Sequence, residues 1–330
     1  MSETHVEAAG RRVRISSPDR VVFPDLGLTK LDVANHYLRC AEGAVRGVHR
    51  RPTSLKRWPK GATDDFFFTK RAPSTITNAA DVRFPSARPG RMPYVEDIAD
   101  IIEQIQLGVL DLNPWNARVD DLDHPDELRL DLDPTDDFGF DRCRDAAAAC
   151  RELLEELGVT GWPKTSGNRG IHVYVRLRTE WDYHQVRRAG LALARELERR
   201  HPDLITTAWW KEERRGIFID YNQNARDKTI ASAYSVRHTG FVSVPFTWAE
   251  LDTIETSDWT VPAFAERWDD VGDLTAGIDD DPADLGQMLE MVRADEEERG
   301  LGDAPWPPHY PKMPGEPPRV QPSRRKQDDA

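Results

Sequence analysis

Apolar residues recur along this chain with two different periods, and the changes between them mark its elements. Thr29-Lys30-Leu31-Asp32 reads as a capping box, in which two side chains satisfy free backbone amides at a helix start; Val33, Tyr37, Cys40 and Ala44 then share one helical face. Strands are predicted over 53–58 and 66–70. Ile98, Ile101, Ile102 and Ile105 follow the spacing of one helix face and are expected in the core, with Gly108 as the stop. Residues 127–133 alternate strictly, Leu128, Leu130 and Leu132 against Arg129, Asp131 and Asp133, the pattern of a half-buried strand. A second alternation covers 170–176, a short strand is expected over 216–221, and helices over 140–157, 183–200 and 283–299. Strands mixed with helices make an α/β or α+β protein.

The 330 residues are enough for one large domain or two small ones. Residues 1–10 read as a flexible N-terminus and 11–300 as the folded body. Eight prolines among the last 27 residues make 301–330 a Pro-rich flexible tail. No apolar run approaches the roughly 20 residues needed to span a bilayer, and the N-terminus does not resemble a signal peptide, so a soluble intracellular protein without membrane contacts is expected. Three cysteines without Cys-x-x-Cys spacing disfavour disulfides and a zinc site, and Cys143 and Cys150 are expected to pack a helix.

The net charge of −13 argues against an obvious nucleic-acid binder until it is divided along the chain. Residues 250–303 hold 18 acidic and 3 basic residues, which leaves 1–249 neutral. Within that neutral part, 44–71 carries eight basic and two acidic residues, and 111–137 ten acidic and two basic. Such segregation suits either solvated loops or a site that holds cations beside phosphates. The acidic segment 250–303 is expected to be a solvated helical region.

Asp131 and Asp133 share one face of a strand, about 6.5–7 Å apart at their Cα atoms. Two such carboxylates can bracket a pair of divalent ions about 3.5–4 Å apart, the clamp used in phosphoryl transfer; taken alone, Asp-x-Asp also suits a strand end turning into an acidic loop. In Lys164-Thr-Ser-Gly-Asn-Arg-Gly-Ile-His172, two glycines allow a turn whose amides, with Ser166, could surround phosphate oxygens, although an ordinary hairpin turn would read the same. It is not a Walker-type loop. Asp220 follows an apolar strand and is either a strand-end residue or a third metal ligand. Arg237 and Lys56 supply positive charge suited to phosphate or to solvent.

In order along the chain, Ser-Pro-Asp-Arg-Val-Val-Phe-Pro (17–24), Arg-Pro…Lys-Arg-Trp-Pro-Lys-Gly (51–61), Phe-Phe-Thr-Lys (67–70), Leu-Asp-Leu-Asp-Pro (130–134), Thr-Ser-Gly-Asn-Arg-Gly-Ile-His (165–172) and Ile-Asp-Tyr-Asn-Gln-Asn…Tyr-Ser-Val-Arg (219–237) resemble the polymerase domain of bacterial ATP-dependent DNA ligase D, of the archaeo-eukaryotic primase superfamily. The resemblance spans roughly 15–255. It implies an α+β primase-polymerase fold, with a mixed or antiparallel RRM-like catalytic sheet and flanking helices. It also implies template-directed nucleotidyl transfer in gap filling and double-strand break repair, with ribonucleotides or deoxyribonucleotides as substrates.

The same resemblance assigns residues. Asp131, Asp133 and Asp220 match the carboxylates that hold two Mn2+ or Mg2+ ions. Lys56, Ser166, Arg169, His172, Gln223 and Arg237 match nucleotide-binding positions, and Phe67 and Phe68 an aromatic pair that stacks on the template. Arg20 and Lys30 match a pocket for the 5′-phosphate of gapped or broken DNA. The implied partners are primer-template DNA, nucleoside triphosphates, a Ku-type end-binding protein and a separate DNA ligase, in the cytoplasm beside the bacterial nucleoid.

Arg169 stands where Lys is frequent, Thr69 where Gln or Glu is usual, Asn113 where His is common and Arg20 where Lys is. The Lys-x-Asp-Gly motif of the ligase part is absent, which implies a stand-alone polymerase. A catalytically silent DNA-end-binding module and a two-metal nuclease are the alternatives.

Overall fold

Glu127–Pro134 is the middle of a five-stranded sheet in the computed structural model, which describes residues 2–313 and 316–319. The strand order is Trp162–Thr165, Ile171–Arg176, Glu127–Pro134, Ile217–Ile219 and Ile205–Thr206, with every pair antiparallel except the last. Helices Phe140–Glu156 and Tyr183–Arg200 pack on the face that carries Leu128, Leu130 and Leu132, with Cys143 and Cys150 on the buried side of the first. The N-terminal half surrounds a second core. Its helices Lys30–Arg39 and Ile98–Gln106 pack beside a three-stranded sheet of Phe67–Thr69, Thr53–Arg57 and Val109–Pro114. Sheets with flanking helices give the expected α+β architecture.

The capping box forms as predicted: Asp32 N–H donates to the Thr29 hydroxyl, and Thr29 N–H donates to the Asp32 carboxylate. The helix it opens stops at Arg39, and a second helix, Ala41–Val48, carries Ala44. Ile98, Ile101, Ile102 and Ile105 form one face, with Gly108 at φ 86° ending the segment.

Both alternating strands are buried on both faces, not half-buried, with Asp133 alone exposed on the first. One face is apolar. The other is a polar ladder in which Glu127 stands opposite Arg176, Arg129 opposite Tyr174 and Asp131 opposite His172. Alternation cannot tell a buried polar face from a wet one, because the period is the same.

Three expectations about the periphery are corrected. Residues 3–8 are not flexible: Glu3–Ala8 pairs with Arg11–Ser16, Val6 opposite Val13, and Arg11 bonds Asp97 and Asp100. The tail residues 301–313 and 316–319 are packed, with Trp306 buried; residues 314–315 and 320–330 lie outside the described residues. The acidic segment is not merely solvated. Asp269 pairs with Arg39, Asp273 with Arg46, Asp279 with Arg118 and Arg176, and Asp295 with Arg195. Its helices, Val261–Val271 and Gly286–Glu297, thus neutralise arginines of the body.

Arg51 is fully buried and donates both terminal nitrogens to Asp126, at 2.6 and 2.9 Å. Removing one partner from a buried ion group strands the others. Arg51→Met is expected to cost about 3–5 kcal/mol in urea unfolding, because Asp126 and Glu127 remain buried. A loss below about 1 kcal/mol would show that Arg118 and Arg176 suffice for them.

Candidate active site

The three acidic residues singled out in the sequence meet at one end of the central sheet. Asp131 and Asp133 project from the polar face of Glu127–Pro134, and Asp220 follows Ile217–Ile219 on the neighbouring strand. The Asp220 N–H donates to the Asp131 carbonyl at 3.0 Å, continuing the ladder, and its carboxylate accepts the Asn222 N–H at the start of a 3-10 turn, Tyr221–Asn224. Asn224 fixes that turn to the strand by bonding both the N–H and the carbonyl of Arg129.

Like charges so close oppose one another's ionisation. Burial raises the Asp131 carboxyl above the usual range. Asp133, at the exposed rim, is raised first by the Asp131 charge, then by enclosure and Asp220. Asp220 is pushed up to about 6, by burial first and then by Asp131.

Gln223 lies between two of these groups, its Nε2 donating to Asp131 Oδ2 at 3.1 Å and to Asp220 Oδ2 at 3.3 Å. Its Oε1 is buried without a hydrogen-bond partner. Among the described residues, no three His, Cys, Asp or Glu side chains are already drawn into ligand geometry around one point. The donor set nevertheless fits hard divalent cations, which take carboxylate oxygens, and neither Asp133 nor Asp220 has a Lys or Arg ion-pair partner among the described residues.

Behind Asp131 runs a buried chain that sequence reasoning missed. His172 Nε2 lies 3.3 Å from Asp131 Oδ1, and its Nδ1 lies 2.7 Å from Lys164 Nζ. Lys164 also donates to the Ala231 carbonyl and the Ser243 hydroxyl, both at 2.8 Å. With Lys164 charged, its three protons serve the Ala231 carbonyl, the Ser243 hydroxyl and His172 Nδ1, which leaves the imidazole proton on Nε2, toward Asp131. Burial holds both Lys164 and His172 well below their ordinary values, and each also feels the Arg237 charge. Lys164 opens the Lys-Thr-Ser-Gly segment, and a strand over 162–165 was the signal that could have found it.

The turn between these strands is tight, but several of its amides close on the turn itself rather than facing outward, the Ser166 N–H donating to the Gly170 carbonyl at 2.8 Å. Ser166 Oγ accepts the N–H groups of Asn168 and Gly170, at 3.1 and 3.0 Å, which leaves its own proton free to donate. A Cβ on Gly170 would lie 2.3 Å from the Leu132 carbonyl, so only glycine lets the turn approach the strand of Asp131 and Asp133 this closely. Arg237 donates to the Ser166 carbonyl at 3.1 Å and faces Asp111 at 3.3 Å. Lys56 Nζ sits 4.5 Å from the Trp58 ring centroid and 4.4 Å from that of Phe66, and burial lowers its proton affinity. Arg169 lies outside on the rim, exposed and paired with Asp136.

Phe67 and Phe68 are exposed, 46% and 55%, and Phe66, absent from the sequence assignment, is exposed to 48% beside them. Arg214, also missed, lies over the Phe218 ring, and Asp220 and Asp133 act on its charge. The pair Arg20 and Lys30 belongs to the N-terminal elements. Arg20 donates to the Pro59 carbonyl. Lys30 is buried, not presented to a phosphate: its Nζ donates to Ser16 O, Gln106 O and Gln106 Oε1, and burial, then Arg20, lower it to about 8. Asn113 donates to the carbonyl and carboxylate of Asp111.

A carboxyl whose folded-state pKa is raised binds more protons folded than unfolded, so its contribution to stability falls as pH rises from the unfolded value through the folded one. Asp133→Asn, which removes one of the repelling charges, is therefore expected to gain stability over the wild type as pH rises from about 5 to about 8 in the presence of chelator. Parallel thermal unfolding curves read the difference, and a pH-independent gap would rule out the repulsion.

The family model for the LigD primase-polymerase domain matches residues 29–275. The multifunctional non-homologous end joining protein LigD of Pseudomonas aeruginosa is 33% identical over 294 residues, 87% of this chain and 34% of that protein. The bifunctional non-homologous end joining protein LigD of Bacillus subtilis is 25% identical over 253 residues, 76% of this chain and 41% of that protein. The chain thus spans well under half the length of these relatives. Among solved structures, the polymerase domain of Mycobacterium tuberculosis ligase D in complex with DNA superposes with a TM-score of 0.76 at 28% identity, covering 82% of this chain and 99% of that one. With the carboxylate cluster standing on a fold of this kind, the chain belongs to the LigD primase-polymerase domain family, a family of nucleotidyltransferases.

Proposed function

We propose that this protein is a template-directed DNA/RNA polymerase that fills gaps and repairs the ends of DNA double-strand breaks in non-homologous end joining. The observation that carries this reading is the convergence of Asp131, Asp133 and Asp220 at one sheet end, beside a donor-rich turn and two cations, Arg237 and Lys56. A carboxylate cluster alone would serve a nuclease; the adjoining Ser166, Arg237 and Lys56 supply the donors that a triphosphate needs.

Asp131, Asp133 and Asp220 would hold two Mn2+ or Mg2+ ions, which supply Lewis-acid activation of the primer 3′-hydroxyl and charge neutralisation at the pyrophosphate leaving group. Asp131 is oriented for this by the His172 Nε2–H. Ser166 has a free hydroxyl proton for a phosphate oxygen, and Arg237 is steered toward the same place by the Ser166 carbonyl. Gln223, bridging two of the carboxylates, would exchange that bond for a ligand. Arg169, at the rim, would swing from Asp136 to a phosphate. Phe67 and Phe68, with Phe66, offer exposed rings on which template bases would stack, worth about 1–3 kcal/mol per base. Ribonucleoside and deoxyribonucleoside triphosphates are both proposed substrates. The proposed partners are a Ku-type end-binding protein and a separate DNA ligase, and the proposed setting is the bacterial cytoplasm at the nucleoid. No helix among the described residues is long and apolar enough to cross a membrane.

Asp131→Ala and Asp133→Ala are each expected to abolish primer extension while binding to primer-template persists, since the phosphate contacts lie elsewhere. Arg237→Ala is expected to lower kcat/KM for the triphosphate by roughly 2–3 kcal/mol, the worth of a charge-assisted contact. Extension by either Asp variant above a few per cent of wild type would sink the metal assignment, and an unchanged kcat/KM would sink the triphosphate pocket.

Arg20 carries the proposed recognition of a 5′-phosphate. A gapped substrate bearing that phosphate is expected to be extended faster than one ending in hydroxyl, and the advantage should shrink in Arg20→Ala and as salt rises. Lys30→Ala should instead lower stability. Equal rates on both gaps at low salt would rule out the pocket.

A further inference from the structure

The family match ends at residue 275, yet the chain beyond it reaches back to the metal-site turn. Arg187, on helix Tyr183–Arg200, is fully buried and makes four hydrogen bonds. One goes from Nε to Asn222 Oδ1 at 2.7 Å. The other three go to the C-terminal segment: Asp303 Oδ1 at 2.7 Å, Ala304 O at 2.9 Å and Pro305 O at 3.0 Å. Asn222 in turn donates its side-chain amide to Pro305 O at 3.3 Å and its backbone N–H to Asp220 Oδ1 at 3.0 Å. A continuous line of hydrogen bonds therefore runs from the segment, through Arg187 and Asn222, to one of the three carboxylates.

The segment is held in place rather than draped over the surface. Trp306 is buried beneath the Arg187 guanidinium, 4.2 Å from it, stacks on His184 and donates from Nε1 to Asp303 Oδ2 at 2.8 Å. Glu316 closes the loop by accepting the N–H groups of Trp306 and Met313, at 2.8 and 2.9 Å. Ala304 packs with Leu191 and Tyr221, the latter being the residue after Asp220.

We propose that residues 303–306 form a strap that positions Asp220 for metal binding, acting through Arg187 and Asn222. The sheet fixes the Asp220 backbone through Asp131, while its carboxylate is held by the Asn222 N–H and Gln223 Nε2, in a turn tied to the strand by Asn224 and to the strap by Arg187 acting on Asn222. Without the strap, the guanidinium loses three of its four acceptors and must turn toward water, which frees the Asn222 side chain and loosens the turn. The strap is a positioning element, since among the described residues none of its side chains bonds the carboxylates.

This inference rests on the proposed metal site, and the experiment separates the two. Mn2+ is titrated calorimetrically into the full chain and into Trp306→Ala, Trp306→Phe and Asp303→Asn, and primer extension is followed against Mn2+ concentration. Trp306→Ala and Asp303→Asn are expected to weaken Mn2+ binding and to raise the Mn2+ KM by about tenfold, the lower end of what losing a partner of a metal ligand costs, with kcat at saturating Mn2+ near wild type. Trp306→Phe keeps the ring beneath Arg187 and should recover most of the affinity. If Trp306→Ala fails to fold, Asp303→Asn, which alters one group, decides. Wild-type Mn2+ affinity in the folded variants would overturn the strap alone, whereas a wild type that binds no Mn2+ would overturn the metal site and the strap with it.

Discussion

Four ionisable side chains, Glu127, Arg129, Asp131 and Asp133, point to one face of a single strand, and burying such a row costs several kcal/mol for each charge left unpaired. The fold answers each in turn. Glu127 is met by Arg176 and Arg129; Arg129 also bonds the carbonyls of Pro114 and Trp115 and lies over Tyr174; Asp131 is met by His172 and Gln223. The matching runs out at Asp133 and Asp220, which have no Lys or Arg ion-pair partner among the described residues and feel Arg214 only at longer range. The architecture therefore ends a compensated ladder with an uncompensated step, and the leftover negative charge is what a divalent ion would neutralise.

Much of this was legible in the sequence because strand alternation is a backbone property. The Leu-Asp-Leu-Asp pattern put Asp131 and Asp133 on one face without any knowledge of neighbours, and the Thr29 capping box and the isoleucine face are equally local. What stayed hidden depends on contacts distant in sequence. Lys164 looks like an ordinary surface lysine until the Ser243 hydroxyl and the Ala231 carbonyl close over it. Lys30 is held in a way no local pattern announces, since Gln106, 76 residues away, accepts from its ammonium. The N-terminal hairpin was missed because Arg11 gains its carboxylate partners only from the helix at 98–106 and its cap.

Charge bookkeeping along the chain misled in a similar way. A segment with 18 acidic and 3 basic residues reads as a solvated helical region, but its carboxylates lie against the arginines of helices and strands far upstream. Net charge by segment counts formal charges, whereas electrostatic energy depends on which of them meet. With those arginines neutralised, the cations near the active end, Lys56 and Arg237, are left as local features of an otherwise balanced body. A DNA substrate would then be held by a few placed contacts and by stacking on exposed rings rather than by a broad positive field.

The same reasoning explains why the carboxylate cluster depends on elements from so many parts of the chain. Desolvation strengthens the electrostatic grip of a carboxylate on a cation, but it equally strengthens the repulsion among carboxylates while the cation is absent. A flexible site would relieve that repulsion by swinging its acids outward into water. Here the swing is opposed on each side: Asp131 by the Lys164–His172 chain, Asp220 by the Asn222 turn and the strap beyond it. Asp133 stands at the rim, exposed to solvent although its neighbours still oppose its charge. Rigidity behind two acids and exposure at the third give the site an open side from which a nucleotide could approach, and they place the cost of holding like charges together on the fold rather than on the substrate.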